Sequence, residues 1–326
     1  MESKQNLITK INKEKLFNLY KEISKRIENN EYEKILKDNN NLKESNSNNS
    51  DNNGNNIQEN ENNKNMIEII SQIKKNIKEY PLDEALYKDI EIEINNKNYY
   101  QINPTDEFFT FKSYPSNNLL VLLLNNIILS LLNKKFCFKF YFMDSFNKLE
   151  LDSITPLNEK IKNIVNNKDI NTNIYNYILE NIFFTFNCRD LLTFFGIRKT
   201  IGSINNYIPL DKNILINKFK ELNNPKSILT VGAKALCKHS HRSVTDPFWP
   251  GQGGKEKDKN ENAEKMLNLF LKECVWINIH LLPHQLVIIE LRIDKGYGIR
   301  WQANDGMFRG FLEPQMENGH EKGWIH

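Results

Sequence analysis

All four tryptophans, all six histidines and twelve of the thirteen glycines of this 326-residue chain follow residue 195. That partition limits what each part of the chain can fold into. A stretch almost without glycine lacks the residue that most readily adopts positive φ, so its first 195 residues favour helices and few tight turns. The last third holds the turn-forming, aromatic and titratable side chains together. Any specific chemistry is therefore expected there, on a turn-rich scaffold.

The N-terminal part reads accordingly. Leu16, Tyr20, Ile23 and Ile27 follow a 4-3-4 spacing and mark an amphipathic helix within an N-terminal helical region, 1–37. Met66, Ile70, Ile73 and Ile77 repeat the pattern. Between them, 38–65 is dominated by Asn with Ser, Asp, Glu and Lys and has almost nothing apolar to bury, so it reads as a disordered insertion. Residues 66–226 read as a mixed α/β unit. Ile90, Ile92 and Ile94 alternate with charged residues, as do Phe136, Phe138, Phe140 and Phe142 with Cys137, Lys139 and Tyr141, which predicts half-buried strands. Leu119–Leu132 is 14 residues long and carries Asn125 and Asn126 at its centre, too short and polar for a membrane span, and reads as a buried helix. Thr155-Pro156 looks like a helix start, and Asp211 caps a further helix.

Residues 227–326 form the His-, Trp- and Gly-rich C-terminal domain. Thr230–Arg242 and Asn262–Trp276 read as helices. Leu286–Ile293, Gly298–Gln302 and Met307–Phe311 read as strands joined by Asp294-Lys295-Gly296-Tyr297 and Ala303-Asn304-Asp305-Gly306, which tolerate positive φ. The expected fold class is α+β, ending in two helices on a three-stranded antiparallel meander. Whether 66–226 and 227–326 are separate domains or share one core stays open on this reading.

The segments LTVGAKALCKHSHRS, WINIHLLPH, IELRIDKGYGIRW and FRGFLEPQMENGHEKGWIH, within Leu229–His326, resemble the C-terminal region of an uncharacterised eukaryotic protein family. The resemblance implies that this stretch is a genuine domain. It implies no activity, cofactor or catalytic residue.

Charge and cysteine usage bound the function. A net charge of +3 with 26% charged residues and mean hydropathy −0.60 argues against a dedicated polybasic protein, so nucleic acid is possible but not favoured, and no membrane partner is expected. Four widely spaced cysteines without a CxxC pair, and a start (MESKQNLITK) without an apolar leader, point to reduced thiols and a cytoplasmic or nuclear protein. Seven arginines occur, four of them after residue 241: Arg242, Arg292, Arg300 and Arg309. Guanidinium groups suit planar anion recognition.

These observations select a candidate site. Lys238, Arg242 and Ser243, with Arg300 and Arg309 from the strands, would bind a phosphate or carboxylate. The principal reading is recognition of such a small anionic ligand, or of a protein partner. A first alternative is a metal-independent hydrolase or transferase in which His239 and His241 transfer protons, oriented by Asp246, Asp305 or Glu313. A second is a scaffold in which His and Trp are caps and core. Cys237, His239 and His241 have ligand chemistry for zinc but no standard zinc spacing, so no metal site is assigned. Gly251, Gly253 and Gly254 lack the spacing of a phosphate loop, and no cofactor is identified. Trp249, Tyr297, Trp301, Phe308 and Phe311 beside the arginines raise base stacking, but strict alternation puts Trp301 and Arg300 on opposite faces, which makes Trp301 core.

Overall fold

The computed structural model describes residues 13–46, 53–79, 100–102, 109–115, 118–140, 148–166, 174–240, 248–251 and 253–314. The expected strand at Ile90–Ile94 lies outside them, as do His241, Arg242, Ser243, Asp246, His320, Trp324 and His326.

The first three helices among the described residues are α1 (Lys13–Glu28), α2 (Glu31–Asn46) and α3 (Asn53–Glu79). The predicted stripes are their buried faces. Leu16, Tyr20, Ile23 and Ile27 on α1 meet Met66, Ile70, Ile73 and Ile77 on α3 in the core. Helix reaches further into the Asn-rich tract than composition predicts, ending at Asn46 and resuming at Asn53. The buried stripe of α3 supplies the nucleus, and each residue added to an existing helix costs far less than the first turn.

Strands β1 (Tyr100–Ile102), β2 (Phe109–Phe111) and β3 (Phe138–Lys139) form a small sheet, with β1–β2 antiparallel and β2–β3 parallel. Helix α4 (Leu119–Leu132) is buried on every side, as its mostly apolar sequence requires. Of its two central asparagines, Asn126 donates from Nδ2 to Phe194 O at 2.6 Å, while the buried Asn125 Oδ1 has no partner among the described residues. Helix α5 (Lys148–Asn166) contains Pro156 rather than starting there. The proline leaves the carbonyl four residues back without its intrahelical partner, which the helix tolerates at one position. Then follow α6 (Ile174–Thr185), α7 (Cys188–Phe194) and α8 (Lys212–Lys220), the last capped by Asp211 as expected. No described helix is long and apolar enough to cross a membrane.

The C-terminal region contains α9 (Val231–His239), α10 (Glu256–Glu273), β4 (Cys274–Leu282), β5 (Leu286–Ile293), β6 (Gly298–Gln302) and β7 (Phe308–Leu312). The sheet is antiparallel in the order β4-β5-β6-β7, with four strands where three are expected from sequence. Helix α10 stops at Glu273, three residues before the predicted end. From Ile277 the pattern Ile-Asn-Ile-His has period two, and the backbone follows it into β4. Register pairs Asn278 with Glu290 and Glu290 with Arg300.

The sheet does not stand apart from the helical half. Ile197 and Ser203 bridge to Ile277 and His280 along the outer edge of β4. Arg198 N donates to Ile277 O, Ile204 N to Ile279 O and Leu281 N to Gly202 O. Buried side chains of both halves belong to one hydrophobic cluster. The segment 197–204 thus covers an edge whose backbone groups would otherwise be exposed.

Candidate functional site

Alternation divides the four-stranded sheet into two chemically distinct faces. The inner face carries Ile277, Ile279, Ile289, Leu291, Ile299, Trp301 and Phe311, all buried in the core. The outer face carries Asn278 and His280 from β4, Glu290 and Arg292 from β5, and Arg300 from β6. A run of ionisable side chains on one face of a central strand is costly unless its members pair, and these do. Glu290 sits at the centre. Its Oε2 lies 3.2 Å from His280 Nε2, and its Oε1 accepts a 2.6 Å hydrogen bond from Arg292 Nε. Arg292 is fixed further by donating from Nη1 to Gly296 O (2.6 Å) and Glu313 O (3.0 Å).

Burial pushes the Glu290 carboxyl up, but the hydrogen bond from His280 and the positive charge of Arg292 outweigh it and hold the group below its ordinary value. Glu290 is therefore a carboxylate at neutral pH. A carboxylate only accepts, so His280 Nε2 carries the hydrogen in this contact.

Arg300 differs from Arg292. It is partly buried, and among the described residues its Nε has no hydrogen-bond partner. Burial lowers its pKa. Glu290 opposes that shift, while the like charges of Arg309 and Arg292 add to it. Arg300 thus lies within electrostatic reach of one carboxylate, Glu290, and of two like charges, Arg292 and Arg309.

Two local backbone features produce this arrangement. Gly298 is the cross-strand partner of Arg292; a Cβ there would lie 2.9 Å from Leu291 O and 3.1 Å from Arg292 Cγ, so only glycine lets the arginine lie flat over β6. A bulge in β7 opposite Arg300 and Trp301 keeps Phe308 and Phe311 both inward and turns Arg309 out to solvent. Gly310, paired with Arg300, has φ 132° and open space beyond its hydrogens, leaving bare backbone beside the arginine.

The structure separates the residues singled out from the sequence. Arg300 and Arg309 belong to the outer face. Lys238 is exposed on α9 and His239 ends that helix on the opposite, core-packed side of the sheet. His239 Nδ1 lies 3.3 Å from Glu313 Oε1, which also accepts a 2.8 Å hydrogen bond from Trp249 Nε1, and its ring packs on Trp249 and Phe311. Glu313 is thus the carboxylate beside His239, as the sequence allowed. Phe311 points inward and Arg300 outward, so His239 and Arg300 do not meet. Cys237 is partly buried, and no group of three or more His, Cys, Asp or Glu suited to a metal occurs among the described residues. Trp249, Tyr297, Trp301, Phe308 and Phe311 are all buried and offer no stacking surface.

Sequence reasoning missed His280, Glu290 and Arg292 as a group. A signal was present: Glu290 and Arg292 are two charged residues at strand spacing inside the apolar run LVIIELRI. Their partner His280 follows only once β4 is recognised.

The outer face thus brings together a carboxylate-held histidine and arginines, residue types suited to proton transfer and to holding negative charge. Residues 220–313 match the family model described as the CdiA C-terminal tRNase toxin domain, just under a third of the chain. The match contains every member of the outer-face group. No curated protein and no solved structure matches the chain.

Proposed function

We propose that this protein is a ribonuclease acting on tRNA or a tRNA-like RNA, with its active site on the outer face of the four-stranded sheet. The observation that carries the reading is the His280–Glu290–Arg292 constellation beside Arg300, inside the segment similar to a tRNase toxin domain. Recognition of a small anionic ligand, the principal reading of the sequence, is not supported by the family match, which favours a nuclease instead. Nucleic acid becomes the favoured partner.

The residues divide the chemistry among them. Arg300, half-buried and with no partner for its buried Nε among the described residues, binds the scissile phosphate through its guanidinium. His280 Nδ1 takes the proton of the ribose 2′-hydroxyl as its oxygen attacks phosphorus. The O2′–P bond forms, the P–O5′ bond breaks, and the leaving 5′ oxygen takes a proton from water. Glu290 fixes the His280 ring and stabilises the imidazolium that forms, a role that needs it ionised. Arg292 and Arg309 add positive charge where negative charge builds on the phosphoryl oxygens.

This assignment predicts cleavage of RNA and not of DNA, because DNA lacks the nucleophile. Incubating the full-length protein with deproteinised tRNA, with the matching DNA sequence as control, tests it. Products ending in a 2′,3′-cyclic phosphate and a 5′-hydroxyl are expected. Uncut tRNA across a range of pH and divalent-ion conditions would overturn the reading.

A further inference from the structure

Beside the outer-face group lies a second feature, in the part of the chain that precedes the matched segment. Ile201 is 94% exposed, the largest exposure among the large hydrophobic side chains described. Isolated exposed aliphatic residues are common on protein surfaces and by themselves mean nothing. Ile201 is distinguished by how firmly its turn is held and by what the turn is held against.

Thr200 N donates to Ser203 Oγ at 2.7 Å, and Ser203 N to Thr200 O at 3.1 Å. Ser203 Oγ donates in turn to Asn278 Oδ1, and Asn278 Nδ2 donates to Thr200 Oγ1, both at 2.8 Å. Leu281 N donates to Gly202 O at 2.9 Å. Asn278 is itself buried. Ser203 bridges to His280, and a Cβ on Gly202 would lie 3.9 Å from the His280 Cβ. The turn is thus clamped onto the strand that carries His280, with one bare aliphatic side chain standing in solvent next to it.

We infer that Ile201 is a substrate-positioning wedge, which enters the base stack of a structured RNA loop and splays the nucleotides at the bond that His280 attacks. The inference rests on the ribonuclease reading and deepens it. In-line attack by a 2′-hydroxyl needs a local backbone geometry that stacked RNA does not present, so unstacking one step is a requirement of the reaction on a folded substrate. Aliphatic wedges do this for nucleic acids when the protein holds them rigidly at the strand. The clamp to Asn278 provides that rigidity, and the arginine cluster anchors the flanking phosphates.

The test uses full-length protein with His280→Ala, which removes the proposed base, with and without Ile201→Ala. The probes are stem-loop RNAs carrying 2-aminopurine at successive loop positions, whose fluorescence rises when the base unstacks. A rise confined to one or two positions, and reduced by about tenfold or to nothing by Ile201→Ala, is the expected result. Equal fluorescence with both proteins, or no rise at any position, would overturn the wedge. In parallel, the His280 protein with and without Ile201→Ala is assayed on a folded stem-loop and on an unstructured oligoribonucleotide. Cleavage of the folded RNA should fall about tenfold further than that of the unstructured one; an equal fall would assign Ile201 to general binding instead. Fluorescence reads unstacking and the cleavage assay reads chemistry, so failure of the wedge and failure of the ribonuclease reading are separate outcomes.

Discussion

Two histidine–carboxylate pairs lie on opposite sides of one sheet, at nearly equal separations. On the outer face His280 and Glu290 are 3.2 Å apart; on the helix-packed side His239 and Glu313 are 3.3 Å apart. Distance does not distinguish them, and their surroundings do. Glu290 shares its second oxygen with Arg292 and lies near Arg300. Glu313 shares an oxygen with the Trp249 indole, and the His239 ring is packed among Trp249 and Phe311. One pair is surrounded by positive charge in excess and by bare glycine backbone. The other packs against aromatic rings and ties the end of β7 to α9. Exposure does not separate the pairs either, since the side chains of His280 and Glu290 are 17% and 7% exposed and those of His239 and Glu313 are 11% and 17%; the charge around each pair does.

Substitutions break the comparison in a definite order. The largest effect is expected for His280→Ala, which should lower RNA cleavage by about 10²–10⁴-fold without loss of fold, the range for a general base; initial rates on tRNA measure it. Arg300→Ala should follow, at about 10²–10³-fold, as for a group that stabilises developing negative charge. Its binding to tRNA should also depend less steeply on salt, because one phosphate contact is gone. His239→Ala should act on stability, costing about 1–3 kcal/mol for the buried polar partners it strands. Its thermal midpoint should drop while the cleavage rate per folded molecule stays unchanged.

The smallest effect concerns pH. The Glu290 pKa is depressed in the folded state, so its ion pair contributes stability that is fully present above the ordinary value of 4.5 and is lost as pH falls through the lower folded value. Glu290→Gln should therefore flatten the acid limb of the stability curve below pH 4.5, measured by denaturant unfolding, with little further change above it. An unaltered acid limb would place the acid sensitivity elsewhere.

Much of the helical architecture was legible because it is periodic. The stripes of α1 and α3 and the apolar run of α4 are local signals that tertiary contacts reinforce. The turns at Gly296 and Gly306 were legible too, both glycines adopting positive φ. Strand β4 was not, because the helical pattern of α10 carries smoothly to Trp276 and hides the change to period two at Ile277. Losing β4 removed His280 from its strand and left Glu290 and Arg292 without a partner. The cationic run Lys238–Arg242 is conspicuous in the sequence, since neighbours in sequence are visible and neighbours across strands are not. Register, which brings Asn278, Glu290 and Arg300 into one row, depends on pairings ten residues apart or more and on the bulge in β7. The helical half enters through the edge of β4, a contact that no local pattern announces.

The central claim is that the outer face of the sheet, and not the His239 side, carries the chemistry. The most direct measurement compares cleavage of deproteinised tRNA by the wild-type, His280→Ala and His239→Ala proteins, each shown to be folded by circular dichroism. The account predicts that the His239→Ala protein cuts tRNA at the wild-type sites and rate, and that the His280→Ala protein does not cut. Wild-type cleavage by folded His280→Ala protein, or its loss in folded His239→Ala protein, would contradict the account.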